Sequence, residues 1–159
     1  MRPSGSSFAG LTSSAPPGAD GVNTVYLADT SALARLDRPE VAERLAPLIV
    51  DGRVAVCGTV MLEVLFSAIS KRAYAETSEM LGALPRAPID DDVIDRALET
   101  QAVLARSSQH RGIALPDLIL AAAAANAELI VLHYDSDFER IAAITGQSVE
   151  WVVSRGSVD

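Results

Sequence analysis

From Thr24 onward the chain alternates short β-branched runs with longer stretches of helical periodicity, and this order constrains the fold more than any other feature. Val25-Tyr26-Leu27-Ala28, Val54-Ala55-Val56-Cys57, Leu129-Ile130-Val131-Leu132 and residues 149–153 read as strands. The intervening patterns read as helices, which predicts an α/β fold on a mainly parallel sheet. Thr30 or Ser31 caps a short helix, and Pro39 begins another that runs to about residue 49. After Gly58-Thr59 comes a helix with Met61, Leu62, Leu65 and Phe66 on a broad apolar face.

The second half continues the alternation. Residues 72–84 read as a helix, stopped by Pro85 and Pro88 before a short extended piece around Ile89. Asp90, Asp91 and Asp92 open a long helix with apolar positions at Val93, Ile94, Ala97, Leu98, Val103 and Leu104, which Gly112 is expected to end. Capping and the helix dipole account for those three aspartates, so they are not candidate ligands. Pro116 suits the first turn of a helix over residues 117–127, whose alanines at 121–125 suit close packing on a sheet. Residues 137–145 form the last helix, and there is no internal repeat.

With 159 residues and 49% hydrophobic content, the chain can bury one core and is expected to form one domain. Residues 1–21, rich in Ser, Gly, Ala and Pro, read as a flexible tail, a tag or an upstream extension, with folding beginning near Val22. No stretch approaches the roughly 18 apolar residues of a membrane span. The lone Cys57 lies in an apolar run, reads as a buried small hydrophobe, and fits a cytoplasmic protein. A net charge of -8 excludes binding nucleic acid through a broad basic face. It is compatible with a nucleic-acid enzyme whose metal ions offset an acidic site.

Four carboxylates have positions of interest. Asp29 and Asp135 are the first anions after apolar runs, Glu63 lies in the second turn of a helix, and Asp117 opens another. In a parallel sheet all four can meet beyond the carboxyl ends of the strands. Such a cluster repels itself unless a cation holds it, which points to Mg²⁺ or Mn²⁺ and to phosphodiester cleavage. Taken singly, Asp29, Asp117 and Asp135 are each explained by caps or turns. Glu63 is not, because it interrupts the apolar helix Val60-Met61-Leu62-Glu63-Val64-Leu65-Phe66, and a lone buried carboxylate is costly.

Four segments together resemble the successive motifs of a PIN-domain ribonuclease, and within that family the VapC toxin group of type II toxin-antitoxin pairs. They are Tyr26-Leu27-Ala28-Asp29-Thr30-Ser31-Ala32-Leu33, Glu63 in its helix, Leu115-Pro116-Asp117-Leu118-Ile119-Leu120-Ala121-Ala122-Ala123, and His133-Tyr134-Asp135-Ser136-Asp137-Phe138. The resemblance spans residues 22–159. It implies a PIN-like three-layer α/β/α sandwich and a divalent-metal (Mg²⁺ or Mn²⁺) endoribonuclease, usually dimeric and silenced by a VapB-type antitoxin. By motif matching, Asp29, Glu63, Asp117 and Asp135 take the catalytic and metal positions, Thr30 or Ser31 the supporting hydroxyl, and Asp137 an auxiliary place. Many relatives carry Thr-Arg where this chain has His133-Tyr134, a difference that bears on RNA contacts. The implied products carry 5′-phosphate and 3′-hydroxyl ends.

Arg35, His110 and Arg111 are candidate RNA contacts, with helix-end charge as the ordinary reading of the last two. Trp151, Tyr74 and Phe66 are too few for a stacking platform and read as core or interface. Leu62, Leu65 and Ile69 offer a dimer face or a groove for an antitoxin helix. Two rivals stand beside the nuclease. An aspartate-based phosphoryl-transfer domain fits poorly, since Ser31 stands where a phosphatase has a second Asp and Lys71 is the only lysine. A catalytically silent binding module is disfavoured by the complete acidic set.

Overall fold

The computed structural model describes residues 25–159, so the expected tail over residues 1–21 and the start near Val22 lie outside the described residues. Strand β1 (Tyr26–Ala28) leads through α1 (Thr30–Leu33) and α2 (Pro39–Val50) to β2 (Val54–Cys57). Helices α3 (Gly58–Phe66) and α4 (Lys71–Gly82) precede the two-residue β3 (Arg86–Ala87). Then come α5 (Asp91–Arg106), α6 (Leu115–Asn126), β4 (Ile130–His133), α7 (Asp137–Thr145) and β5 (Val149–Trp151).

The five strands form one sheet in the order β3-β2-β1-β4-β5, and every pairing is parallel. Ala28 pairs with Leu132 across β1 and β4, and Leu27 with Ala55 across β1 and β2. Every residue of β1 and β2 is buried, as expected of strands covered on both faces in an α/β/α sandwich. The chain winds outward from β1 to β2 and β3, then crosses back to β4 and β5. That reversal opens a crevice beside β1 at the carboxyl ends of the strands, where open α/β sheets place their ligands.

Packing follows the sequence pattern closely in places. Ala121, Ala122, Ala123 and Ala124 are all buried, and α6 lies against β4 as small side chains allow. Leu45, Leu81, Leu104, Leu120, Phe138 and Ile141 fill the space between helices and sheet. Cys57 is fully buried, as expected.

Three local expectations are corrected. The extended piece is Arg86–Ala87, between the two prolines rather than around Ile89, because Pro88 has no N–H to carry the ladder further. Helix α5 ends at Arg106, not at Gly112: Ser108 turns left-handed (φ 57°) and the Gln109 N–H closes onto the Leu104 carbonyl at 2.9 Å. His110 and Arg111 therefore sit in a loop beyond the helix end. On α5 the buried stripe is Val93, Ala97, Thr100 and Leu104, while Ile94, Leu98 and Val103 face outward. Finally, α1 is capped by the Asp29 carboxylate, which accepts from the Ser31 N–H at 3.0 Å, rather than by Thr30 or Ser31. Asp90 caps α5 as anticipated, accepting from Val93 N–H.

Candidate metal centre at the carboxyl edge of the sheet

Asp29 leaves β1 with its backbone N–H bonded to the Leu132 carbonyl at 2.9 Å, so the first carboxylate is registered directly against β4. The residue is only 5% exposed. Its Oδ2 accepts from Ser31 N (3.0 Å) and Ser31 Oγ (2.5 Å). Burial pushes the Asp29 carboxyl up, the Ser31 hydrogen bonds oppose that shift, and Glu63 adds to it.

Glu63 projects from the second turn of α3 and accepts from Thr30 Oγ1 at 2.5 Å on its Oε2. The two consecutive hydroxyls thus serve different carboxylates, Thr30 holding Glu63 and Ser31 holding Asp29. Glu63 is half-buried rather than deeply buried. Its apolar neighbours in sequence mislead, because Leu62 and Phe66 on the same helix are 72% and 93% exposed. The case for Glu63 rests on its bond to Thr30, not on burial.

The tightest grouping lies opposite. Among the described residues, carboxylate oxygens of Asp117, Asp135 and Asp137 all lie within 4.8 Å of one another. Asp117 stands in the first turn of α6, after Pro116. Asp135 follows β4 and uses Oδ1 to accept from Asp137 N–H at 3.0 Å, a turn bond just ahead of α7, whose N-cap is Ser136. Asp137, expected only as an auxiliary, is a full member of this trio and also accepts from Arg140 Nη1 at 3.2 Å. The Asp117 carboxyl is pushed up to about 7, first by burial and then by Asp29, Asp135, Glu63 and Asp137. Four carboxylates therefore act on Asp117.

An all-oxygen, mutually repelling donor set is what a hard divalent cation selects. The residues fit such an ion. Arg140 meets only Asp137 within this set, so the cluster's charge is not balanced by that ion pair alone.

The supporting shell is aromatic on one side. His133 is fully buried, and its Nδ1 accepts from Asp135 N–H at 3.1 Å, which places the ring proton on Nε2. Burial lowers the His133 pKa, so the ring is neutral. Phe138 and Trp151 flank it with ring centroids at 5.1 and 4.9 Å. Trp151 is half-buried there, whereas Tyr74 and Phe66 lie on the surface.

Of the three candidate RNA contacts, Arg35 turns inward: Nη1 donates to the Ser31 carbonyl at 2.9 Å and the guanidinium lies 4.5 Å from the Tyr134 ring centroid. His110 is half-buried with Nδ1 lacking a partner, and Arg111 is exposed. Their loop reaches the cluster through Gly112, whose carbonyl accepts from Arg140 Nη1 at 2.9 Å. Arg140 was not singled out from the sequence, although its i,i+3 spacing from Asp137 on α7 was a legible signal. Tyr134 was noted there only as a departure, and its contacts come from segments distant in sequence.

The PIN domain family model matches residues 26–144. Ribonuclease VapC18 of Mycobacterium tuberculosis is 40% identical over 136 residues, covering 84% of this chain and 99% of that protein. Ribonuclease VapC21 of the same species is 44% identical over 141 residues, covering 86% and 99%. The DNA-bound VapBC structure from Salmonella typhimurium shares the fold, with a TM-score of 0.67 at 20% identity over 82% of this chain and 99% of that one. The all-parallel sheet, the acidic edge and these matches agree, and the chain belongs to the PIN domain family.

Proposed function

We propose that this chain is the toxin of a type II toxin-antitoxin pair, a divalent-metal-dependent endoribonuclease that cleaves RNA and so inhibits translation or growth. The observation that carries this reading is Asp117, whose carboxyl is pushed up to about 7 by burial and by four other carboxylates. Such an arrangement costs stability unless a cation enters it. RNA as the substrate is supported by the relatives named ribonucleases over nearly their whole length.

Asp29, Glu63, Asp117 and Asp135 are the residues assigned to hold Mg²⁺ or Mn²⁺, with Asp137 beside them. A bound divalent ion supplies Lewis acidity, easing loss of a proton from water for in-line attack and offsetting charge on the departing 3′ oxygen. Ser31 and Thr30 keep Asp29 and Glu63 oriented through their 2.5 Å hydrogen bonds. Burial and four neighbouring carboxylates raise the Asp117 carboxyl to about 7, and a bound cation would favour its ionised form. Covalent catalysis finds no support, because Cys57 is buried with its thiol pushed up and His133 is buried and neutral. The products carry 5′-phosphate and 3′-hydroxyl ends.

A VapB-type antitoxin is the proposed partner, together with a second copy of the chain. An exposed apolar face supports both: Leu62, Phe66 and Ile69 are 72%, 93% and 97% exposed, with Tyr74 on the adjoining helix. No helix among the described residues is long and apolar enough to cross a membrane. The cytoplasm is the proposed compartment, in keeping with one free cysteine. The domain is read as residues 22–159, since Val152 and Val158 are buried beyond the segment matched by the family model.

The test is incubation of purified, antitoxin-free protein with total RNA and Mg²⁺ or Mn²⁺. Cleavage that requires the metal and is lost in Asp29→Asn supports the reading. Cleavage that survives EDTA, or an unimpaired Asp29→Asn, sinks it. A wild type that cleaves no RNA under any of these conditions favours the silent binding module instead.

A further inference from the structure

A series of contacts runs from the C-terminus to Asp29. Val158 is buried, and its backbone N–H donates to Tyr134 Oη at 3.2 Å. Arg38 bonds the Asp159 carbonyl, tying the end of the chain to the start of α2. The Tyr134 ring meets Trp151 edge-on at 5.3 Å and carries the Arg35 guanidinium at 4.5 Å. Both Tyr134 and Arg35 then act on one residue: Tyr134 N–H donates to Ser31 Oγ at 2.8 Å, and Arg35 Nη1 donates to the Ser31 carbonyl at 2.9 Å.

An amide N–H can only donate, so Ser31 Oγ is the acceptor of the Tyr134 bond. The single hydroxyl hydrogen of Ser31 is then directed to Asp29 Oδ2, 2.5 Å away. Were Tyr134 N–H to move off, the hydroxyl would lose the donor that complements its bond to Asp29. Arg35 is committed to the same end, since its Nε is buried without a partner. Leaving such a donor unpaired costs about 1–3 kcal/mol, which a side chain free to swing outward would avoid.

We propose that Tyr134, Arg35 and the strap of residues 154–159 are positioning residues, which act through Ser31 to hold the Asp29 carboxylate in one rotation for a divalent cation. The inference rests on the proposed function. Hydrogen bonds behind a metal ligand orient it, and losing one weakens metal binding by about 10-fold. Here the orientation reaches Asp29 from the opposite end of the chain.

The experiment measures Mn²⁺ binding by calorimetry and RNA cleavage on antitoxin-free full-length protein. The variants are Arg35→Ala, Arg35→Lys, Tyr134→Phe and deletion of residues 155–159, each alone and combined with Ser31→Ala. Arg35→Ala and the deletion are expected to weaken Mn²⁺ binding by about 10-fold and to lower kcat with KM for RNA unchanged. Arg35→Lys recovers part of the loss by donating again to the Ser31 carbonyl. Tyr134→Phe keeps the ring and releases only the strap, so it reproduces a smaller loss even if the deletion does not fold. In the Ser31→Ala background Tyr134→Phe and the deletion have no further effect, because they act through the Ser31 hydroxyl, while Arg35→Ala keeps part of its effect through the Ser31 backbone carbonyl and N–H. Unchanged Mn²⁺ affinity in folded variants, losses in Tyr134→Phe or the deletion that add to that of Ser31→Ala, or a raised KM with kcat intact overturns the inference alone. A wild type that neither binds Mn²⁺ nor cleaves RNA overturns the proposed function itself.

Discussion

Thr30 Oγ1 donates to Glu63 Oε2 across 2.5 Å, joining the residue after the first candidate carboxylate to a helix 33 positions further along the chain. The bond gives Glu63 a fixed orientation that its half-buried position does not provide. A hydrogen bond to a charged group contributes about 1.5–3 kcal/mol.

Thr30→Val is therefore expected to lower kcat for RNA cleavage by roughly 10- to 100-fold, the rate equivalent of that bond. Thr30→Ser, which keeps the hydroxyl, should retain most activity. Steady-state kinetics on both variants, with melting temperatures as a folding control, decide the matter. Equal activity in Thr30→Val would show that Glu63 needs no such partner.

Asp117 makes the metal-free protein sensitive to pH. Its folded-state pKa of about 7 lies above the ordinary carboxylate value, so the folded state binds more protons than the unfolded one between about pH 4 and 7. This contribution to stability is present at low pH and is lost as pH rises through 7. In EDTA, the melting temperature of wild type relative to Asp117→Asn should fall between pH 5 and pH 8. Saturating Mn²⁺ should reverse the fall at pH 8.

His133 acts with the opposite sign. Burial depresses its pKa, so stability from the neutral ring is present above the unfolded value of about 6.5 and is lost as pH falls below it. His133→Leu removes the acceptor for Asp135 N–H and should cost about 1 kcal/mol at pH 8. The difference in melting temperature between wild type and variant should shrink at pH 5. A constant difference would mean the ring does not titrate with unfolding.

Arg140 ties the loop before α6 to α7 through the Gly112 carbonyl, and a Cβ at Gly112 would stand 3.1 Å from its Nη2. Arg140→Ala should free that loop, and Arg111 within it is exposed to trypsin. Limited proteolysis should show faster cutting after Arg111 in the variant. Unchanged cutting would place the restraint elsewhere.

Phe66 is 93% exposed, so Phe66→Ser should leave stability within about 0.5 kcal/mol of wild type. RNA cleavage by the isolated chain should also be unchanged. Co-purification with the antitoxin should drop sharply if this face receives it. Denaturant melts, cleavage rates and pull-down yields separate the three outcomes.

Much of the fold was legible because strand and helix periods differ and the strands here are nearly continuous apolar runs. β2 at Val54–Cys57 and α7 at Asp137–Thr145 match the sequence reading residue for residue. The stop of α5 was misread because a glycine at 112 looked like a terminator, while Ser108 takes the left-handed position. The apolar positions Ile94 and Leu98 face outward, because apolar character marks a face without saying what covers it.

The order of the acidic residues, and their places after β1 and β4 and at the openings of helices, were set by the sequence alone, since local propensity fixes where strands end and helices begin. Three matters belonged to the tertiary structure. Asp137 joins Asp117 and Asp135 within 4.8 Å, Thr30 and Ser31 divide their hydroxyls between Glu63 and Asp29, and Val158 returns to Tyr134 behind them. Each depends on how parallel strands and their crossovers bring distant residues to one edge, and hydrogen-bond geometry at 2.5–3.2 Å is decided only when those segments pack.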